Sequence, residues 1–221
     1  MAFEKALKRL GGRSSQQQAV DDFHRLYYDS KVYRQTFWRG FETQKCPLDL
    51  WIYQEILHEL RPDVIVETGT FSGGSAYYLA SLFDLFGGGR VITVDLEPQP
   101  NLPVHPRITY IAGLSSTSPE AVTRVKGLIK DGERVMVILD SDHSRDHVLD
   151  ELRIYGKMVT SGQYLIVEDT NINGHPALPK FGPGPMEALD VYLKESDGFE
   201  LDSGREKFYM TFNPRGYLKR R

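Results

Sequence analysis

The sequence predicts an α/β protein built on a doubly wound, mostly parallel sheet. Short apolar runs recur along the chain: VIVETG at 64–69, VITVDLE at 91–97, ITYIAG at 108–113, VMVILD at 135–140 and YLIVED at 164–169. Helical stretches alternate with them, first SGGSAYYLASLFDLF and then segments near 118–130, 144–158 and 185–195. Strands that are apolar on both faces and separated by helices form parallel sheets covered on both sides. The end changes character. FELD at 199–202 and KFYMTF at 207–212 lie only a turn apart, which predicts an antiparallel pair at the sheet edge.

Taken in order, residues 1–18 read as a flexible arm, since Gly11, Gly12 and the Ser14–Gln18 stretch have little to bury. Val20, Phe23, Leu26 and Tyr27 then fall at helical spacing over 19–29. Pro47 can open a second extra helix, whose apolar side runs from Leu48 through Trp51 and Ile56 to Leu60. No repeat, low-complexity tract or linker interrupts the rest of the chain, so 19–221 is expected to be one domain.

Composition narrows the function. Of 221 residues, 40% are hydrophobic and 26% charged, which suffices for a sizeable core. The net charge of −3 argues against nucleic acid as a partner. Lys219, Arg220 and Arg221 form the only dense basic cluster and read as a solvated tail. No apolar run approaches a signal peptide or a membrane span. The lone Cys46 fits a reducing compartment, so a cytoplasmic protein is expected.

In a doubly wound sheet, ligands bind beyond the carboxyl ends of the strands. Carboxylates close four of the five predicted strands: Glu67, Asp95, Asp140 and the Glu168-Asp169 pair. Such groups are costly to leave unpaired near a core. After the first strand, Gly69, Thr70, Phe71, Gly73 and Ser75 form a glycine-bearing turn into a helix whose first amides are free. It lacks the Lys of a phosphate loop and the second Gly of a dinucleotide fingerprint, so a pyrophosphate would fit poorly. Asp95 is placed to accept from ribose hydroxyls, and together these features point to an adenosine-containing ligand.

LDSDH and VEDTN close the fourth and fifth strands. Carboxylates converging there repel one another unless a cation neutralises them, and Mg²⁺ or a similar hard cation is the natural occupant. Helix capping accounts for one of Ser141, Asp142 and Ser144, but not for Asp140 or the Glu168-Asp169 pair. Asp140 and Asp142 both stand as possible metal ligands, and Asp140 also borders the cofactor. His143 is a candidate general base, or a partner that orients a carboxylate.

These motifs are similar to a known family. The pattern Glu67-x-Gly69-x-Phe71-x-Gly73-x-Ser75 resembles the cofactor loop of cation-dependent O-methyltransferases. More closely, QKCPLDLWIYQEIL, VETGTFSGGSA, VILDSDHSRDHVLDEL, LIVEDTNINGHP, FGPGPMEAL and REKFYMTFNPRGYL resemble the cephalosporin hydroxylase-type and rhamnosyl O-methyltransferases over roughly residues 20–221. The resemblance implies a Rossmann-like class I methyltransferase fold and an O-methyltransferase dependent on S-adenosylmethionine and a divalent metal. It implies that Glu67, Gly69 and Ser75 line the methionine and ribose side, and that Asp95 holds the ribose. Gly113, Ser115 and Ser116 would border the adenine. Glu168 and Asp169 would hold metal with an aspartate of LDSD: either Asp140 is that ligand and Asp142 the general base, or Asp142 is itself the ligand. The acceptor would be a small-molecule hydroxyl on a sugar, a phenol or catechol, or an antibiotic core.

Two other functions compete. An iron-dependent hydroxylase needs two histidines with a carboxylate, but no H-x-D or H-x-E motif is present. A cofactor-binding partner subunit without catalysis is the other, which intact carboxylates disfavour. The Pro- and Gly-rich stretch 173–187 is expected to act as a lid or an acceptor-binding loop, with Trp38 and Trp51 on the opposite wall. Tyr27, Tyr28, Tyr33 and Phe37 would be costly to expose on a monomer, so a homo-oligomer is expected.

Overall fold

A computed structural model describes residues 13–221. Helix α1 spans Arg13–Asp29. It takes in residues 13–18, expected to be arm; the rest of that arm lies outside the described residues. After a 3₁₀ turn at Val32–Gln35 comes a hairpin of β1 (Phe37–Trp38) and β2 (Phe41–Glu42). Its turn is made by Arg39 and Gly40, both at positive φ (48° and 91°), as a tight hairpin requires. Helix α2 (Pro47–Leu60) comes next, opened by Pro47 as expected.

The remaining elements run β3 (Val64–Thr68), α3 (Gly74–Phe86), β4 (Arg90–Asp95), β5 (Ile108–Ala112), α4 (Pro119–Leu128) and β6 (Val135–Leu139). Then come α5 (Arg145–Tyr155), β7 (Tyr164–Val167), α6 (Pro185–Glu195), β8 (Phe199–Leu201) and β9 (Tyr217–Arg220). The strands form one seven-stranded sheet in the order β5-β4-β3-β6-β7-β9-β8. The first five in that order are parallel, and β9 is antiparallel to both β7 and β8.

Strand side chains alternate between two cores. Val64, Val66, Val137 and Val167 face the side of α4, α5 and α6. Ile65, Met136, Ile138 and Ile166 face α2 and α3. Burial on both faces explains why these strands read as unbroken apolar runs. A third cluster joins Tyr28 and Tyr33 to Phe212, with ring centroids 5.2 and 5.4 Å from it.

Two expectations about the C-terminus are corrected. β8 pairs with β9, not with KFYMTF. The 207–212 stretch is irregular because side chains claim it: Asp49 accepts from the Phe212 amide at 2.8 Å and the Thr211 hydroxyl at 2.5 Å. Nor are Lys219 and Arg220 a solvated tail. They belong to β9, and the Arg220 guanidinium lies 4.9 Å over the Phe199 ring.

β3 and β6 are adjacent, but the chain leaves them in opposite directions, toward β4 and toward β7. Their carboxyl ends flank the crevice where such sheets bind ligands.

Candidate functional site

The loop after β3 is shaped by close packing. Gly69 has φ +87°, and a Cβ there would lie 1.9 Å from the Asp140 carbonyl oxygen. Only glycine lets the two strand ends approach so closely. Gly73, at φ +74°, leads into α3. Asp95, ending β4, ties the loop down: its carboxylate accepts from the Thr70 and Phe71 amides, both at 2.8 Å, and from the Glu97 amide at 2.8 Å.

Glu67 lies wholly buried beneath this loop. One oxygen accepts from the Thr93 hydroxyl at 2.8 Å, and the other has no hydrogen-bond partner. Burial pushes its carboxyl up to about 7, against the pull of Lys45 and the nearby Ser75 and Thr93 hydroxyls.

Two adjoining cavities lie over the strand ends. One, of about 390 Å³, is lined by Asp95, Phe71, Ser115, Ser116, Asp142 and His147. The other, of about 570 Å³, is lined by Thr70, Ser75, His143 and Asp169, with Tyr28, Tyr33, Arg34, Glu42 and Gln44 on its outer wall. Both share Gly69, Phe71, Asp140 and Ser141. Leu178 and Phe181, from the stretch read as a lid or acceptor-binding loop, edge the larger one. Trp38 and Trp51 do not form its opposite wall. Trp38 donates to the Ser81 hydroxyl at 3.0 Å, and Trp51 to Glu55 at 3.0 Å.

Asp140, His143 and Asp169 converge in the larger cavity, with Asp140 shared by both. One donor atom from each lies within 4.8 Å of the others. His143 Nε2 is 3.4 Å from Asp140 Oδ1 and 3.3 Å from Asp169 Oδ2. Burial alone would lower the imidazole, but Asp169 and Asp140 outweigh it and lift it to about 9. Asp169 is raised by burial, against the pull of His143.

The other site residues lie around this cluster. Glu168 turns away from the cavity: one oxygen accepts from Tyr53 Oη at 2.7 Å, and the other contacts Lys45 Nζ at 2.7 Å. Burial and the neighbouring Asp140 still push it up to about 8. Asp142 stands apart from the cluster and accepts from the Ser144 amide at 2.7 Å, just ahead of α5. Ser144, through its hydroxyl first and its amide second, holds that carboxyl below the usual range. Ser116 and Ser141 both donate to Glu151, at 2.5 and 2.7 Å. Gly113 ends β5 at φ +81° with open space beside it.

Lys45 and Tyr53 carry no motif of their own, and sequence reasoning missed them. The signal was their place on either side of the start of α2, whose Asp49 is wholly buried among polar partners.

Residues 30–221 match the family described as Rhamnosyl O-methyltransferase/CmcI. The chain belongs to that family. It is an O-methyltransferase of this group, on the doubly wound fold the sequence predicts. The rhamnosyl O-methyltransferase of Mycobacterium bovis is 40% identical over 210 residues, covering 91% of this chain and 84% of its own. That of Mycobacterium leprae is 39% identical over 208 residues, covering 91% and 90%. A solved structure of CmcI with Mg and SAM aligns with a TM-score of 0.64 at 22% identity, covering 85% of this chain and 77% of its own. At that identity the likeness concerns the fold.

Proposed function

We propose that this protein transfers the methyl group of S-adenosylmethionine to a hydroxyl of a small molecule, a rhamnosyl sugar or a close relative, with a divalent cation at Asp140 and Asp169. The observation that carries the proposal is the convergence of Asp140, His143 and Asp169 in the larger of two adjoining cavities at the β3–β6 crevice.

The residues fit both groups. For the donor, Glu67 offers a buried oxygen without a partner beneath the glycine turn, suited to an ammonium group. Asp95, Ser115 and Ser116 border the smaller cavity, where adenosine would lie, and Asp95 keeps acceptor capacity beyond its backbone bonds. For the cation, Asp140 and Asp169 present carboxylate oxygens toward one point. Burial first, and the Asp140 charge second, raise Glu168, so carboxylates crowd one another here. A cluster holding a single histidine does not supply the two that an iron oxygenase site uses.

The donor, when bound, supplies an already electrophilic methyl sulfonium, and the cation lowers the pKa of an acceptor hydroxyl. The chain must align the acceptor oxygen and remove its proton. His143 Nε2 sits between the two carboxylates that hold its proton; with a cation claiming those carboxylates the imidazole would lose that support, and Nε2 would then be the atom to take the acceptor's proton. Phe71, Leu178 and Phe181 give the larger cavity an apolar edge that excludes water, while Tyr33, Glu42 and Gln44 offer polar groups to a sugar. The rhamnosyl preference rests on the mycobacterial relatives, which carry that name.

We also infer a homo-oligomer. Tyr28 and Tyr33 are used up within the chain, but Phe23, Leu26 and Phe37 stay 52%, 68% and 61% exposed. The activity is tested by incubating the protein with radiolabelled S-adenosylmethionine, Mg²⁺ and rhamnosyl glycosides. Label in the sugar is the expected result. Label in none of the sugar, catechol or antibiotic-core acceptors would refute the proposal.

A further inference from the structure

Lys45 is a buried lysine with no water to solvate its charge: it is 4% exposed. Lysine is almost never so buried unless it is paired. Its ammonium contacts Asp140 Oδ2 and, at 2.7 Å, Glu168 Oε2. Burial acts to lower it, yet Asp140, Glu168 and Glu67 together hold it well above its ordinary value.

The position is built. Cys46 caps α2, and Asp49 in its first turn is gripped by Thr211, the Phe212 amide and Tyr217 Oη, the last at 2.9 Å. Further along the helix, Tyr53 donates to the oxygen of Glu168 that Lys45 leaves free, and itself accepts from Asn213 at 3.0 Å. The start of α2 thus delivers an ammonium and a phenol to the ends of β6 and β7 as one unit.

We propose that Lys45 is a resident counter-ion of the site, carrying one of the positive charges its carboxylates require, so that a divalent cation completes the site rather than creating it. Asp140, Glu168 and Asp169, when ionised, set three negative charges against the Lys45 ammonium and the His143 imidazole, so Lys45 meets a fixed part of the charge and a divalent cation would meet the rest in place of the histidine's proton. The metal-free protein then keeps its strand ends in place. Without Lys45, the buried Glu168 would be left facing Asp140 with no cation between them, and repulsion at a buried carboxylate is strong. This inference rests on the cation reading above.

The test compares wild type, Lys45→Met and the double variant Lys45→Met/Glu168→Gln, each melted in EDTA and in Mn²⁺, with Mn²⁺ binding followed by electron paramagnetic resonance. Wild type should melt within a few degrees in the two conditions. Lys45→Met should lose about 10 °C in EDTA, as expected for a broken buried pair in a chain of this size. Mn²⁺ should recover most of that loss, and removing the Glu168 charge should recover part of it without metal. A Lys45→Met melting point equal to wild type in EDTA would overturn the proposal. So would a loss that neither Mn²⁺ nor Glu168→Gln relieves, because Lys45 would then be acting only through packing. If wild type binds no Mn²⁺ but Glu168→Gln still rescues Lys45→Met, the metal reading falls and the counter-ion role stands.

Discussion

The two aspartates of LDSDH, which sequence alone left interchangeable, should respond to substitution in opposite ways. In Asp142→Ala the structure removes one bond, the 2.7 Å acceptance from the Ser144 amide ahead of α5. Loss of such a turn hydrogen bond costs about 1 kcal/mol. In a chain of this length that lowers Tm by about 2–4 °C. Turnover at saturating donor and metal should stay within about twofold of wild type, because the Asp142 carboxylate takes no part in the cluster. In Asp140→Ala, Lys45 and His143 both lose a partner, and the proposed cation would lose a ligand. Changes to groups that merely support a metal ligand cost about 10–100-fold, so loss of the ligand itself should exceed about 100-fold. Initial rates with labelled donor and melting curves on both variants make the comparison. Were Asp142→Ala to lose activity like Asp140→Ala with its melting point unchanged, Asp142 would be the functional aspartate and the assignment to Asp140 would be wrong.

Other consequences can be checked alongside. Asp95→Ala should weaken S-adenosylhomocysteine binding by about 10–100-fold in calorimetry, the worth of a charged hydrogen bond to the ribose; unchanged affinity would remove the ribose assignment. Glu187 accepts from the Gly184 amide at 2.7 Å and from Asn173 at 3.0 Å, and it pairs with His175. Burial alone would raise its carboxyl, but these partners bring it from 4.5 down to about 2. A depressed carboxylate stabilises fully above its unfolded pKa, so on the order of 1 kcal/mol, once solvent screening of this partly exposed group is allowed for, should be lost as pH falls from about 4.5 to 2. Glu187→Gln should flatten that part of the pH–Tm curve, and an unaltered slope would contradict the pairing. Light scattering at micromolar concentration should give an oligomer; a monomer would leave Phe23, Leu26 and Phe37 as ordinary exposed residues.

The fold was legible wherever burial on both faces wrote an apolar run into the sequence, as in Val64–Thr68 and Val135–Leu139. It was not legible where pairing depends on side chains from far away. KFYMTF has strand composition, but Asp49, some 160 positions earlier, takes its hydrogen bonds. Lys219 and Arg220 read as tail because charge hides the burial of Tyr217 and Leu218 beside them. Strands of two residues, β1 and β2, carry too little pattern to be read at all. The strand-end carboxylates were legible because their chemistry conflicts with their position. Lys45 was not, since nothing in QKCPL says that its ammonium turns inward to Glu168.

The proposed mechanism turns on a divalent cation held by Asp140 and Asp169. Methyl transfer by wild type after exhaustive chelation, and again after Mg²⁺ or Mn²⁺ is returned, tests it most directly. The mechanism predicts that chelation lowers the rate by more than about 100-fold, that either metal restores it, and that Asp169→Ala stays inactive in both conditions while still binding S-adenosylhomocysteine. Full activity of the chelated wild type would contradict the metal mechanism and leave His143 and its two aspartates as an acid–base group alone.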